Sequence, residues 1–245
     1  MSAFAADQPS AEPTDPFGSD RWPELRHAFF EGAQFTFDDR VKVSAPEVAE
    51  DPFDVVVSVD ATALPEVEEV LVIADFNPFP QALRFTPGRA SAALGFRLKL
   101  DGSTPVRAAA RTSDGRWHLN GTRVQTTSGG CSLPASGSSH SDWQETLNQV
   151  STRIRPTPDG GQRLRIEISH PMDTGLVQGI PIFHIDTLEI ANGAGQRLMR
   201  IEPGPPVARD PIFTLDIPAG ALGPGPIRIS GRDNNGNLIQ AEAAP

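Results

Sequence analysis

The sequence of 245 residues holds one cysteine, Cys131, no tyrosine, and only two lysines, Lys42 and Lys99. A single cysteine excludes an internal disulfide framework. It leaves two readings: an inert buried thiol, or a reactive one that pairs outside its own chain. The other basic residues are arginine, a bias read first as codon usage. The 21 bases face 31 acids, giving a formal charge of −10. Without a basic stripe, nucleic-acid binding is excluded, since that affinity rests on phosphate neutralisation. Long apolar runs are also missing. The longest, Val70–Ala74 and Val55–Val57, fall far short of the ~18 residues of a membrane span. No Ser-His-Asp signature, phosphate-cradling glycine loop or Cys-x-x-Cys occurs, so neither an enzyme nor a cofactor is expected.

What is abundant is turn-forming chemistry: 22 glycines and 24 prolines. With no sustained helical period, that composition predicts many short strands. Residues 1–19 are rich in Ala, Pro and Asp and read as a disordered tail. Ala3-Phe4-Ala5 resembles the small-residue end of a signal peptide, yet no apolar segment precedes it; export and a plain disordered tail stand as equal readings. A short helix is expected over 20–31, with Asp20 as N-cap, Pro23 in the first turn, and Trp22, Leu25, Phe29 and Phe30 on one face. His27 lies off that stripe and is read as solvated.

Beyond residue 40 the period becomes that of strands. Val55–Val59, Glu69–Ala74, Ala93–Leu100, 105–112 and 116–126 make a first all-β unit. Arg163–Ser169, Phe183–Ala191, Gln196–Glu202, Ile212–Ile217, Pro226–Gly231 and Leu238–Ala243 make a second. Asp233-Asn234-Asn235-Gly236-Asn237 is read as a hairpin turn, since the framework of a calcium loop is incomplete. Trp143–Val150 suggests a helical turn. The expected fold is all-β: two immunoglobulin-like β-sandwich domains, 20–127 and 143–245, with a short N-terminal helix.

Between them lies a Ser/Gly-rich linker, 128–142, carrying Cys131 among Gly129, Gly130 and Ser132. Such small neighbours leave the sulfur uncrowded and suit a thin arm. No Lys or Arg lies between Arg123 and Arg153 to lower the thiol's pKa, though His140 is nearby in sequence. The residues therefore point to an attachment thiol more than to a self-activated nucleophile. An unpaired thiol of this kind should also form a Cys131-linked homodimer without reductant.

At this point the chain resembles a known family. Ser128-Gly129-Gly130-Cys131-Ser132 is similar to the Gly-Gly-Cys-Gly arm of the SoxYZ thiosulfate-oxidation carriers. Phe76-Asn77-Pro78-Phe79-Pro80 with Ala82-Leu83-Arg84-Phe85 resembles the Asn-Pro-x-Pro segment of the SoxY subunit. Ser169-His170-Pro171-Met172-Asp173-Thr174-Gly175-Leu176 resembles the SoxZ His-Pro-Met-Glu-Thr-Gly motif. Pro181–Ile190, Gly204-Pro205-Pro206-Val207-Ala208-Arg209-Asp210-Pro211 and Arg232–Gly236 continue that second match. The resemblance implies a single-chain fusion of the quinoprotein dehydrogenase-associated type: a periplasmic carrier whose Cys131 covalently holds a sulfur intermediate. Its implied partners are periplasmic redox enzymes, including a PQQ-dependent alcohol dehydrogenase. The chain departs from the family where Cys131 is followed by Ser132-Leu133-Pro134 and a whole domain, which tethers the arm at both ends. The competing reading is a non-covalent docking or maturation module for a quinoprotein dehydrogenase, with Cys131 dispensable.

The residues offer two candidate recognition loops: His170, Pro171 and Met172, and Gly204, Pro205 and Pro206. For His170 a turn-fixing hydrogen bond is preferred to metal ligation, because no second ligand stands at metal spacing. For Met172 core packing is preferred. His184 is read as an outward strand residue, and Asn120-Gly121-Thr122 as a sequon without glycan.

Overall fold

The computed structural model describes residues 13–126 and 143–244. In the first half, helix α1 (Trp22–Phe30) precedes β1 (Phe35–Phe37), β2 (Lys42–Ser44), β3 (Val48–Ala49), β4 (Val55–Asp60), β5 (Val67–Ala74), β6 (Gln81–Pro87), β7 (Ala93–Leu98), β8 (Thr104–Thr112) and β9 (Trp117–Thr126). In the second, α2 (Trp143–Thr146) precedes β10 (Val150–Pro156), β11 (Gln162–Ile168), β12 (Ile185–Ala191), β13 (Arg197–Pro203), β14 (Ile212–Ile217), β15 (Ile227–Asp233) and β16 (Leu238–Ala243). Among the described residues no helix is long and apolar enough to cross a membrane.

Each half is a β-sandwich, as the turn-rich sequence predicts, and the two are topological copies. The large sheet runs β1-β9-β8-β5-β6-β13-β12-β15-β16, with β3 also on β9; the small sheet runs β10-β11-β14-β7-β4-β2. Read outward from the centre, β6-β5-β8-β9 mirrors β13-β12-β15-β16, and β7-β4-β2 mirrors β14-β11-β10. Both sheets therefore pass without a break from one half to the other, a continuity that no local sequence pattern shows. In the large sheet Phe85 faces Ile201 and Leu83 faces Pro203 across an antiparallel pair. In the small sheet Thr214 pairs with Gly95, again antiparallel. One apolar cluster spans both sandwiches, holding Val57, Phe85 and Phe96 together with Ile166, Ile201 and Phe213.

The unbroken run Val70–Ala74 has a physical cause. Val70, Val72 and Ala74 face the inter-sheet core. Leu71 and Ile73 face the opposite way, beneath Trp22, Leu25 and Phe30 of α1. A strand covered on both faces has no polar side to show.

The amino-terminal end corrects two expectations. Asp20 does not cap α1: Arg21 occupies that position and supplies no side-chain cap bond. The segment just before the helix, assigned by composition to a loose tail, is held down. Arg107, 1% exposed, is gripped by Asp75 (2.8 Å) and Asp15 (2.6 Å). Its guanidinium lies over the rings of Phe17 (4.7 Å) and Trp22 (4.3 Å). Burial alone would raise the Asp15 carboxyl, but bonds from Arg107 and from the Ser19 and Phe17 amides carry it below its usual range. Composition missed the segment because two specific carboxylate–guanidinium contacts hold it, with little apolar burial of its own.

Candidate functional site

Cys131, Gly129, Gly130, Ser132 and His140 lie outside the described residues. The site is therefore built from the two places where the chain enters and leaves that segment. On the departure side, Thr126 ends β9 and its N–H donates to Ser103 Oγ at 3.0 Å. The neighbouring Thr104 hydroxyl accepts the Phe76 N–H at 2.9 Å. Asn77, fully buried, uses both ends of its amide. Nδ2 donates to the Lys99 carbonyl and Oδ1 accepts the Asp101 N–H, each at 2.9 Å. Arg21, at the cap position of α1, reaches the Asn77 carbonyl at 3.2 Å. The Asn-Pro segment is thus a clamp on the loop beside which β9 ends.

On the return side, the Trp143 ring rests on Phe183 (5.8 Å between centroids), and Phe183 rests on His170 (4.4 Å). His170 is 1% exposed. Its Nδ1 accepts the Met172 N–H at 3.0 Å, while its own N–H donates to Asp210 Oδ1 at 3.0 Å. An accepting Nδ1 places the proton of the neutral ring on Nε2, 3.8 Å from Asp233 Oδ2. Burial pushes the His170 pKa down to about 4, against the opposing pull of Asp233, so the ring is neutral near pH 7. The turn-fixing role expected for this histidine is the one observed. Met172 is fully buried, as expected of a core residue, with φ +52°. Its Sδ accepts the Ile185 N–H at 3.4 Å, and its carbonyl accepts from Lys99 Nζ. Burial raises the Asp173 carboxyl above its ordinary range, against the pull of Lys99 and Arg209.

Of the six recognition-loop candidates, His170, Met172, Gly204 and Pro206 are buried, and Pro171 and Pro205 are half-buried. Gly204 sits where the halves approach closely. A Cβ there would fall 2.7 Å from the Gln81 carbonyl oxygen and 2.8 Å from that of Ala82. The Pro206 carbonyl accepts the Lys99 N–H at 2.7 Å, and the Ala208 N–H donates to Arg97 O at 2.9 Å. Both loops thus belong to the seam between halves. Beside it opens a cleft of about 440 Å³, lined from one half by Phe29, Phe79 and Pro80 and from the other by His184, Arg200, Pro205 and Arg232. Leu176 and Ile182 are exposed on the loop that follows His170. Among the described residues no group of three or more His, Cys, Asp or Glu could hold a metal ion.

Sequence reasoning passed over Lys99, Phe183, Trp143 and the part played by Asp233. The scarcity of lysine was the one available signal for Lys99. No local pattern announced the other three.

Residues 26–131 match the family model of "Sulfur oxidation protein SoxY", and residues 154–244 match that of "Sulphur oxidation protein SoxZ". The first match runs up to Cys131 itself. The solved structure of the sulfur carrier protein SoxY from Chlorobium limicola f thiosulfatophilum is similar at 18% identity, over 44% of this chain and 96% of that one, with a TM-score of 0.39. No curated protein matches the chain.

Proposed function

Because the chain belongs to the SoxYZ family of sulfur-oxidation carrier proteins, with its SoxY and SoxZ domains fused in one polypeptide, we propose that Cys131 is the thiol on which its cargo rides. The observation that carries this reading is that the SoxY match extends to Cys131. The two points flanking that segment are braced by residues of both domains, which suits an arm that presents a thiol from a fixed base. The cargo is a sulfur-bearing group held covalently. The carrier works in the periplasm, handing its cargo between redox enzymes, and its resemblance to the quinoprotein-associated fusions points to a PQQ-dependent alcohol dehydrogenase system as partner. The half-buried Pro171 and Pro205, with exposed Leu176 and Ile182, supply a small rim for transient contact, as a carrier that must also depart requires.

The test is the intact mass of the protein isolated from its native host. Discrete sulfur-containing adducts that map to Cys131, removable by a thiol reductant, are the expected result. An invariably unmodified Cys131, together with full partner function in Cys131→Ser, would replace the carrier by a non-covalent docking module.

A further inference from the structure

The bonds that brace the two ends of the arm meet at one residue, Lys99, through its main chain on one side and its ammonium on the other. Lys99 follows β7 in the SoxY domain and is 5% exposed. Its N–H donates to the Pro206 carbonyl and its own carbonyl accepts from Asn77. Its ammonium crosses to the SoxZ domain and donates to the Met172 carbonyl. From Lys99 one path of contacts runs through Asn77 and Asp101 towards Ser103 and Thr126, where the arm departs. A second runs through Met172 and His170 to Phe183 and Trp143, where it returns.

The acceptor of the Lys99 ammonium lies in an unusual stretch of backbone. Of the four described non-glycine residues with positive φ, one is the acceptor Met172 itself (+52°) and two are joined to it, Asn148 (+61°) and Asp210 (+45°). They are joined through Ser169 and His170. The Asn148 N–H donates to the Ser169 carbonyl at 2.8 Å, and the Asp210 N–H to the His170 carbonyl at 2.9 Å. Such conformations persist only where the surroundings over-determine them. Met172 is held at three points, its N–H by His170, its sulfur by Ile185 and its carbonyl by Lys99. Only the last hold comes from the other domain. A buried ammonium is a costly way to fill space, so its presence calls for a reason beyond packing.

We propose that Lys99 is a positioning residue for the carrier: it fixes the return point of the arm, Trp143, relative to the departure point, Thr126. This rests on the reading of Cys131 as the cargo thiol; Lys99 itself does not touch the cargo.

The experiment places nitroxide labels at Gln125→Cys and Gln144→Cys in a Cys131→Ser chain and measures the distance between them by pulsed electron resonance, well below the melting temperature. The parent should give one narrow distance. Lys99→Met fills the same slot without the donor and should at least double the width of that distribution. Val57→Ala, a core truncation in the small sheet, should lower the melting temperature yet keep the parental width. Should Lys99→Met fail to fold, Asn77→Ala removes the other hold on the same residue, the bond to the Lys99 carbonyl on the departure side, and should broaden the distance likewise. An unchanged width in whichever of these two variants folds overturns the proposal. So does equal broadening by Val57→Ala, which would make the effect one of general stability. In a chain retaining Cys131, Lys99→Met should alter N-ethylmaleimide labelling by less than twofold, and a larger change would mean that Lys99 acts on the thiol directly. None of these readouts depends on cargo, so broadening together with a Cys131 that is never modified defeats the carrier reading alone.

Discussion

Cys131 stands five residues beyond Thr126 and twelve before Trp143. At about 3.4 Å per extended residue, its Cα can lie no more than about 17 Å from the departure point, whereas the return limb would permit about 40 Å. The short limb therefore sets the reach. Deleting Gly129 and Gly130 leaves three residues and about 10 Å, which shrinks the volume within reach about fivefold, since volume scales as the cube of length. Deleting Gly137 and Ser138 instead leaves a long limb of about 34 Å, still twice the short one. Air oxidation to the Cys131-linked dimer gives the assay, because both thiols must extend beyond two protein bodies to meet. The Gly129–Gly130 deletion acts on both partners and should slow dimer formation severalfold, because shorter limbs leave fewer approaches in which both sulfurs clear the two protein bodies. Its reaction with N-ethylmaleimide should fall less than threefold. The Gly137–Ser138 deletion should leave both rates near those of the parent. Equal slowing of dimer formation by the two deletions would refute the argument that the short limb is limiting.

Three further outcomes are expected. Arg107→Met strands Asp75 in the interior without its cation and unlatches Asp15; it should cost about 3–5 kcal/mol in urea unfolding, and a loss below about 1 kcal/mol would mean the ion cluster is not structural. His170 gives a pH dependence of definite sign. Its native pKa is pushed down to about 4 from 6.5, so its contribution is intact above pH 6.5 and fades as pH falls towards 4, where the unfolded chain takes up the proton first. Between pH 7.5 and 4.5 the parent should lose about 2–3 kcal/mol more stability than His170→Gln, and identical losses would contradict the buried neutral ring. Gly204→Ala places a methyl against two main-chain carbonyls and should lower stability by about 1–3 kcal/mol; an unchanged thermal melt would show that the two strands are not so close.

Strands with one wet face were legible because their side chains alternate. Ala93–Leu98 and Gln162–Ile168 read cleanly for that reason, and Val70–Ala74 read as a strand despite lacking alternation. Strand β10 left no apolar signal: it lies at a sheet edge, where Ser151, Arg153 and Arg155 are exposed and Val150, Thr152 and Ile154 are only half-buried. The segment β6 drew notice through its motif, and its pairing with β13 depends on Phe85 meeting Ile201, a contact between residues over a hundred positions apart. The candidate site divides in the same way. The Gly-Gly-Cys segment and the His-Pro-Met turn are visible in the sequence. The lysine that ties the turn to the other domain is visible only once residues 99 and 172 share a place in space.

The continuity of both sheets across the two domains has a consequence for the carrier as a population of molecules. Separate subunits joined by such pairing would come apart and exchange on dilution, and each exchange would mix loaded with unloaded halves. A covalent connection holds the second domain at an effective concentration in the millimolar range. The SoxY and SoxZ domains of one chain therefore stay together at any dilution. Cleavage within residues 127–142 would leave the paired strands in place at first and convert this permanent stoichiometry into one that obeys mass action.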